Sequence, residues 1–284
     1  MPSETSKAPV LFDRALLKVR QDRAVRLGAA TFLLDHVASD AAERLAAVNR
    51  SFASGIDLAT PGDALRAALG KQGVSLRPVE ITVDDSAALP LEPNSIDLAM
   101  SLLALQFVND LPGVLAQMRR ALKPDGLLLA AMVGGDTLTE LRQAFAAAEA
   151  EVEGGASPHV SPFADLRDAG GLLQRAGFAL PVTDFERLTV RYDNAFALMQ
   201  DLRRMGATNV LVERRKSPSR RTTLLRMAQI YSERFADPDG RIRATFDIVW
   251  LLGWAPDASQ PKPLRPGSAK FSLEEAVKKA GEKK

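Results

Sequence analysis

The chain contains no cysteine. That excludes disulfides, thiolate metal sites, Cys-ligated iron–sulfur clusters and a cysteine nucleophile. Only His36 and His159 supply imidazoles among 284 residues, which leaves little room for a His-rich metal centre. A Ser–His–Asp triad would need one of those two. Aromatic residues make up 6% and do not interleave the basic stretches, as stacking on single-stranded nucleic acid would require. No apolar run reaches the roughly 20 residues of a membrane span. The longest candidate, Ile96 to Val108, is shorter and carries Asp97 and Gln106. The N-terminus has no apolar signal core, and the basic stretch Arg14 to Arg26 is broken by Asp22, a poor fit to a transit peptide. The expectation is a soluble cytoplasmic protein.

What is present is ordinary globular composition: 46% hydrophobic and 25% charged residues, with a formal net charge of +2. The length suits one large α/β domain or two small ones. The near-neutral total hides a local imbalance. Arg203 to Arg226 holds eight Lys/Arg and one acid, Glu213. Such a stretch suits a solvated helix face, or a surface for phosphate, anionic lipid or an acidic protein.

Periodicity sets out the elements. Residues 12–27 are mildly helical, and Leu34, Val37, Ala41, Leu45 and Val48 mark one helix face. A short strand is predicted at 51–59, a helix from Asp63 to Leu69 and a strand at 74–83 despite Pro78. Ile96 to Leu105 and Leu127 to Val133 read as strands buried on both faces of a parallel sheet. Between them Asp110 caps a helix with Pro112 in its first turn, and Lys123-Pro124-Asp125-Gly126 reads as a turn. Thr137 and Glu140 have capping-box spacing for a helix to about Val152. Further helices are predicted at about 165–176, 194–205 and from Ser217 to Phe235, with strand character at 178–192 and 245–254. Phe246, Trp250 and Trp254 share one side of the last strand, as core or interface packing requires. There is no internal repeat. The organisation expected is an N-terminal helical segment (1–50), an α/β domain (51–254) with helical insertions at 194–235, and an extended or disordered basic tail (255–284) with a short helix at 272–280.

Several local motifs belong together: Leu11-Phe12-Asp13-Arg14, Val108-Asn109-Asp110-Leu111-Pro112, Leu122-Lys123-Pro124-Asp125-Gly126, Gly134-Gly135-Asp136-Thr137-Leu138 with Glu140-Leu141-Arg142, Gly154-Gly155-Ala156-Ser157-Pro158-His159 with Ser161-Pro162-Phe163, and Met205-Gly206 with Asn209. In combination they resemble the methyltransferase-fold assembly factors of respiratory complex I, found in mitochondria and in bacteria with the same respiratory chain. The resemblance covers residues 11–254. It implies a class I S-adenosylmethionine (SAM) methyltransferase fold, a Rossmann-like doubly wound sheet of seven strands with the last antiparallel. It also implies SAM as cofactor and a complex I subunit as partner. The mitochondrial member hydroxylates an arginine of such a subunit, whereas bacterial members carry the name of SAM-dependent methyltransferases, so the fold alone does not choose the chemistry.

The first third departs from the family. The first turn of the family reads Asp-Leu-Gly-x-Gly-x-Gly, and here it reads Asp57-Leu58-Ala59-Thr60-Pro61-Gly62-Asp63. Two glycines that let backbone approach the cofactor are gone. Only 22 residues separate Gly62 from Asp85, which matches the acid after the third strand. At about 1.5 Å per helical and 3.3 Å per strand residue, that interval suits one helix and one strand. One βα unit is therefore missing. Either it carries the second strand, or residues 74–83 are the second strand, Asp84 or Asp85 is its ribose acid, and the third is missing. Gln106-Phe107 stands where the family has His-Trp.

The candidate cofactor residues are Asp57, Gly62, Asp85, Ser101 and Gly134. The candidate partner or substrate residues are Asn109, Asp110, Gly135, Asp136, Thr137, His159, Arg203, Arg204 and Asn209. The damaged turn beside intact later motifs predicts a partner-binding protein in which SAM binding is weakened or lost, a pseudoenzyme. The alternative is an active SAM-dependent methyltransferase or arginine-modifying enzyme acting on a respiratory-chain protein. A third reading, from charge alone, is a scaffold in peripheral contact with a membrane.

Overall fold

Leu127, Leu129 and Ala131 face one side of the central sheet while Leu128, Ala130 and Met132 face the other, all buried. A strand apolar at every position must be covered on both faces, because successive side chains alternate. The computed structural model, which describes residues 10–82 and 87–261, supplies both covers.

The elements run α1 (Arg14–Arg26), α2 (Phe32–Ala46), β1 (Gly55–Leu58), α3 (Ala64–Gly70), β2 (Leu76–Val79), β3 (Ile96–Leu102), α4 (Leu111–Ala121), β4 (Leu122–Gly134), α5 (Thr139–Glu153), α6 (Leu166–Arg175), β5 (Ala179–Tyr192), α7 (Ala195–Arg204), α8 (Arg221–Phe235) and β6 (Ile242–Trp254). Among the described residues they form one six-stranded sheet in the order β2-β1-β3-β4-β6-β5. β2, β1, β3 and β4 are parallel, and β6 runs antiparallel between β4 and β5. One face carries α2, α3, α5, α7 and α8, with Trp250 and Tyr231 sealed inside. The other carries α4 and α6. A third, small cluster of Phe12, Leu17, Phe107, Val210 and Leu211 fastens α1 to the rest.

The pairing settles which strand is short. β2 lies directly beside β1, so residues 76–79 occupy the second position and the outer neighbour is the one absent among the described residues. Pro78 is tolerated because β2 is an edge strand, where one side needs no amide donor. The sheet therefore has six strands among the described residues where the resemblance implies seven.

Three local expectations are corrected. Thr137 and Glu140 form no capping box. Leu138, at φ 54°, precedes α5 without a side-chain cap. Thr137 Oγ1 donates instead to the Gly134 carbonyl at 2.7 Å, and Glu140 accepts from Thr245 Oγ1 at 2.5 Å. Lys123 to Gly126 lies inside β4 rather than in a turn before it, with Asp125 at φ 61° and its amide bonded to the Ala255 carbonyl. The helix expected from Ser217 begins at Arg221. The short helix expected at 272–280 lies outside the described residues, as does the tail from 262. No helix among the described residues is long and apolar enough to cross a membrane.

Candidate functional site

A cavity of about 720 Å³ opens at the carboxyl edge of β1, β2 and β3. This is where doubly wound sheets bind ligands, since strand ends and the helix starts that follow converge there. Its floor is the first turn, Ala59 to Asp63, with Glu80, Leu103 and Gln106 beside it. Its walls are α1, the start of α2, α5, the 159–163 segment and the end of α7. The lining is largely apolar, from Leu33, Leu141, Phe145, Phe163, Met199 and Phe246.

The turn is left-handed at two positions although two of the family's glycines are gone. Ala59 has φ 56° and Gly62 φ 66°, both in the left-handed region. For alanine that conformation costs about 1–2 kcal/mol. Hydrogen bonds hold it: the Ala59 amide donates to the Val79 carbonyl at 2.8 Å, and the Leu102 amide donates to Thr60 Oγ1 at 2.9 Å. Arg66, from α3, crosses the turn to the Gly62 carbonyl at 2.8 Å, to Asp63 and to Asp57. Asp57 is 1% exposed, so burial pushes its carboxyl up, against the pull of Thr60 and Arg66.

Glu80 is the residue that sequence reasoning passed over. It follows Val79, the last residue of β2, and is exposed on the cavity wall. That is the position from which an acid takes ribose hydroxyls in doubly wound nucleotide folds. Asp85, matched from sequence to the acid after the third strand and, in the alternative register, offered with Asp84 as the ribose acid, lies outside the described residues. The signal was available once 76–79 is the second strand: the first carboxylate past its end is Glu80.

The remaining candidates divide. Gly62, Thr137, His159, Arg204 and Asn209 line the cavity. Ser101 is fully buried and donates to the Leu58 carbonyl at 2.8 Å, bracing β1 from behind. Gly134 is pressed against Val249 and the Ala164 carbonyl, where a Cβ would lie 2.5 and 2.8 Å from its neighbours. Gly135 is similarly close to Asp247. Asp136 donates its amide to Asp247 Oδ2 and pairs with Arg187. Asn109 Oδ1 accepts from the Leu11 and Phe12 amides at 2.8 and 2.7 Å, and Asp110 caps α4 through the Gly113 amide at 2.9 Å. Arg204 Nε reaches the Gly28 carbonyl at 2.8 Å while its own carbonyl accepts from Ala30, which clasps the α1–α2 connection to α7. Asn209 Nδ2 donates to the Pro158 carbonyl at 2.6 Å. Arg203 is exposed. Much of the basic stretch is spent on partners within the chain: Arg214 on Asp13, Arg215 on Glu153 and Arg226 on Glu151.

Two polar atoms on cavity-lining residues have no partner among the described residues. Gln106 Nε2 donates to the Leu103 carbonyl at 2.7 Å, and its Oε1 is buried and unpaired. Thr208 Oγ1 is likewise buried and unpaired. Each such group costs about 1–3 kcal/mol, which a bound ligand or water relieves.

Residues 35–130 match the model of the methyltransferase domain family. Arginine-hydroxylase NDUFAF5, mitochondrial, of Danio rerio is 36% identical over 94% of this chain and 90% of its own length. The Homo sapiens protein of the same name is 37% identical over 94% of this chain and 84% of its own. A malonyl-[acyl-carrier protein] O-methyltransferase of Xylella fastidiosa (strain M23) is 40% identical over 65% of this chain and 60% of its own. Among solved structures, phosphoethanolamine N-methyltransferase 2 of Haemonchus contortus with S-adenosyl-L-methionine matches at TM-score 0.43 and 16% identity, covering 77% of this chain and 52% of that one. At 36 and 37% identity over 94% of its length, the chain belongs to the NDUFAF5 family of methyltransferase-fold proteins.

Proposed function

We propose that this protein is a SAM-binding enzyme of respiratory complex I assembly, acting on an arginine side chain of a complex I protein. The observation that carries the cofactor half is the pairing of a first turn left-handed at Ala59 and Gly62 with Glu80 at the end of β2, on one cavity of about 720 Å³. The turn would hold the amino-acid end of SAM on backbone amides, and Glu80 the ribose hydroxyls. The cleft would then offer an acceptor the electrophilic methyl group that SAM carries. The apolar half of the cavity, from Leu141 to Phe246, excludes water and receives the stem of a side chain. Arginine comes from the relatives, arginine-hydroxylases by name, and complex I from the resemblance that the sequence motifs carry.

The second reading is a partner-binding pseudoenzyme. The Cβ atoms of Ala59 and Thr60, the Pro61 ring and the Asp63 charge, all in the cradle itself, favour it. Melting the full-length chain with and without excess SAM separates the two. At a hundred times its dissociation constant a ligand adds about 2.7 kcal/mol, a rise of several degrees. That rise is the expected result, and an unchanged melting temperature at millimolar SAM overturns the cofactor assignment in favour of the second reading.

A further inference from the structure

The segment after α5 turns back over the cavity and is held down by one carboxylate. Glu149 is 2% exposed on α5. It accepts from the Ser157 amide at 2.5 Å and from Ser157 Oγ at 2.9 Å. Its Oε1 also lies 2.7 Å from His159 Nε2. The imidazole is stacked on Phe145, with ring centroids 3.8 Å apart and planes 7° from parallel. His159 and Phe145 line the same cavity as the first turn.

A carboxylate facing one ring nitrogen selects the tautomer with its proton there. Nε2–H therefore donates to Glu149, and Nδ1 is left as the acceptor nitrogen. The stack fixes the ring plane and the hydrogen bond fixes its rotation, so the Nδ1 lone pair has a set direction. This is the base-and-orienter half of a catalytic constellation. Ser157 is not its nucleophile, because Ser157 Oγ lies 3.3 Å from Nε2, the nitrogen already given to Glu149. Burial opposes ionisation of Glu149, but the hydrogen bonds from His159 and Ser157 prevail and hold its carboxyl below the usual range. Two cations stand nearby. Arg215 Nη1 is 3.9 Å from Glu149 and pairs with Glu153, and Arg142 donates to the Ser161 carbonyl at 3.2 Å.

We propose that His159 is the acceptor-side base of this cleft, with Glu149 as its positioning residue: Nδ1 takes a hydrogen bond from, and then the proton of, an N–H group on a substrate side chain with an apolar stem. The proton passes to Nδ1, the acceptor nitrogen keeps the N–H electron pair, and Glu149 balances the resulting imidazolium across Nε2–H. The choice of an N–H group rests on the arginine reading above.

The test uses the full-length chain with ¹⁵N-labelled histidine. There are only two imidazoles, and His36, exposed beside Glu186 at 3.0 Å, is the internal control. The probes are N-acetyl-arginine amide and its norleucine counterpart. The expected result is Nε2–H as the tautomer of the neutral His159 ring, and an Nδ1 resonance that moves with the arginine probe alone while His36 stays put. An Nδ1–H tautomer, or an Nδ1 resonance indifferent to the arginine probe up to its solubility limit, overturns the proposal. His159→Phe keeps a ring against Phe145 and should weaken arginine-probe binding by about tenfold. Its response to SAM should be unchanged, which separates failure of this proposal from failure of the cofactor assignment.

Discussion

Arg66 Nη1 donates to Asp57 Oδ2 at 2.6 Å, and this ion pair closes the first turn over a carboxyl that burial pushes up. The Asp57 carboxyl is raised above its ordinary value of about 4. Its contribution to stability is therefore full at acid pH and is lost as pH rises through the raised value. Removing the guanidinium worsens the loss. Arg66→Ala should cost about 2–3 kcal/mol at pH 7, because a buried carboxylate is left without its cation. The deficit should shrink as pH falls toward 4, and Arg66→Ala/Asp57→Asn should be more stable at pH 7 than Arg66→Ala. Urea titrations of the three proteins at both pH values measure this. A deficit independent of pH would show that Arg66 acts by packing rather than charge.

The opposite pH dependence belongs to Asp247. It is 3% exposed, and Arg187 grips it through Nε and Nη2 at 2.7 and 2.8 Å while the Asp136 amide adds a third bond. Burial opposes the charge, but these bonds win and the carboxyl lies below its ordinary range. Its stabilisation is present above about pH 4 and is lost as pH falls through the depressed value. Asp247→Asn should melt lower than the wild type at pH 7. Calorimetry down to pH 2 should show the two melting curves converging, with a shallower acid limb in the variant.

Much of this architecture is legible in the sequence because it is written in short-range patterns. The unbroken apolar runs of β3 and β4 announce strands covered on both faces, and the 22 residues from Gly62 to Asp85 leave room for α3 and β2 alone. What was hidden depends on partners far along the chain. Only the pairing of Gly55 with Leu76 makes β2 the second strand, and only then does Glu80 become the acid at its end. Thr137 and Glu140 have capping-box spacing, but each accepts instead from β6, Thr137 Oγ1 from the Asp247 amide and Glu140 from Thr245, 105 or more residues away. Glu149 gave no signal, because His159 lies ten positions further on, across a helix end and a loop.

Glu80 and Ala59 give separable effects on the cofactor. Glu80 is exposed and clear of the core, so Glu80→Gln should change stability by less than about 0.5 kcal/mol. It should weaken SAM by about tenfold, since a carboxylate accepts from two hydroxyls more strongly than an amide does. Ala59→Gly relieves about 1–2 kcal/mol of left-handed strain while adding roughly 0.4–1 kcal/mol of unfolded-chain entropy. Stability should therefore rise by up to about 1.6 kcal/mol, and SAM should bind more tightly with the Cβ gone. Isothermal titration of both variants, beside their unliganded melting curves, reads the two effects apart.

Asn109 ties the N-terminal segment to the sheet, so its loss should open the cavity without unfolding the domain. Its Oδ1 holds the Leu11 and Phe12 amides, and its Nδ2 donates to the Phe12 carbonyl at 3.1 Å. Behind it lie the small cluster of Phe12, Leu17, Phe107, Val210 and Leu211 and a few hydrogen bonds, among them Asp13 to the Val210 carbonyl and Arg14 to the Ile81 carbonyl. Three hydrogen bonds at about 1 kcal/mol each are one part of what holds α1 closed and touch neither of the two main cores. Asn109→Ala should raise amide exchange across α1 by about tenfold or more and leave β3 and β4 as protected as before. Because α1 lines the cavity through Gln21, Ala24 and Val25, the same variant should release a bound ligand faster. Uniform loss of protection across β3, β4 and α1 would instead make α1 part of a single cooperative unit with the sheet.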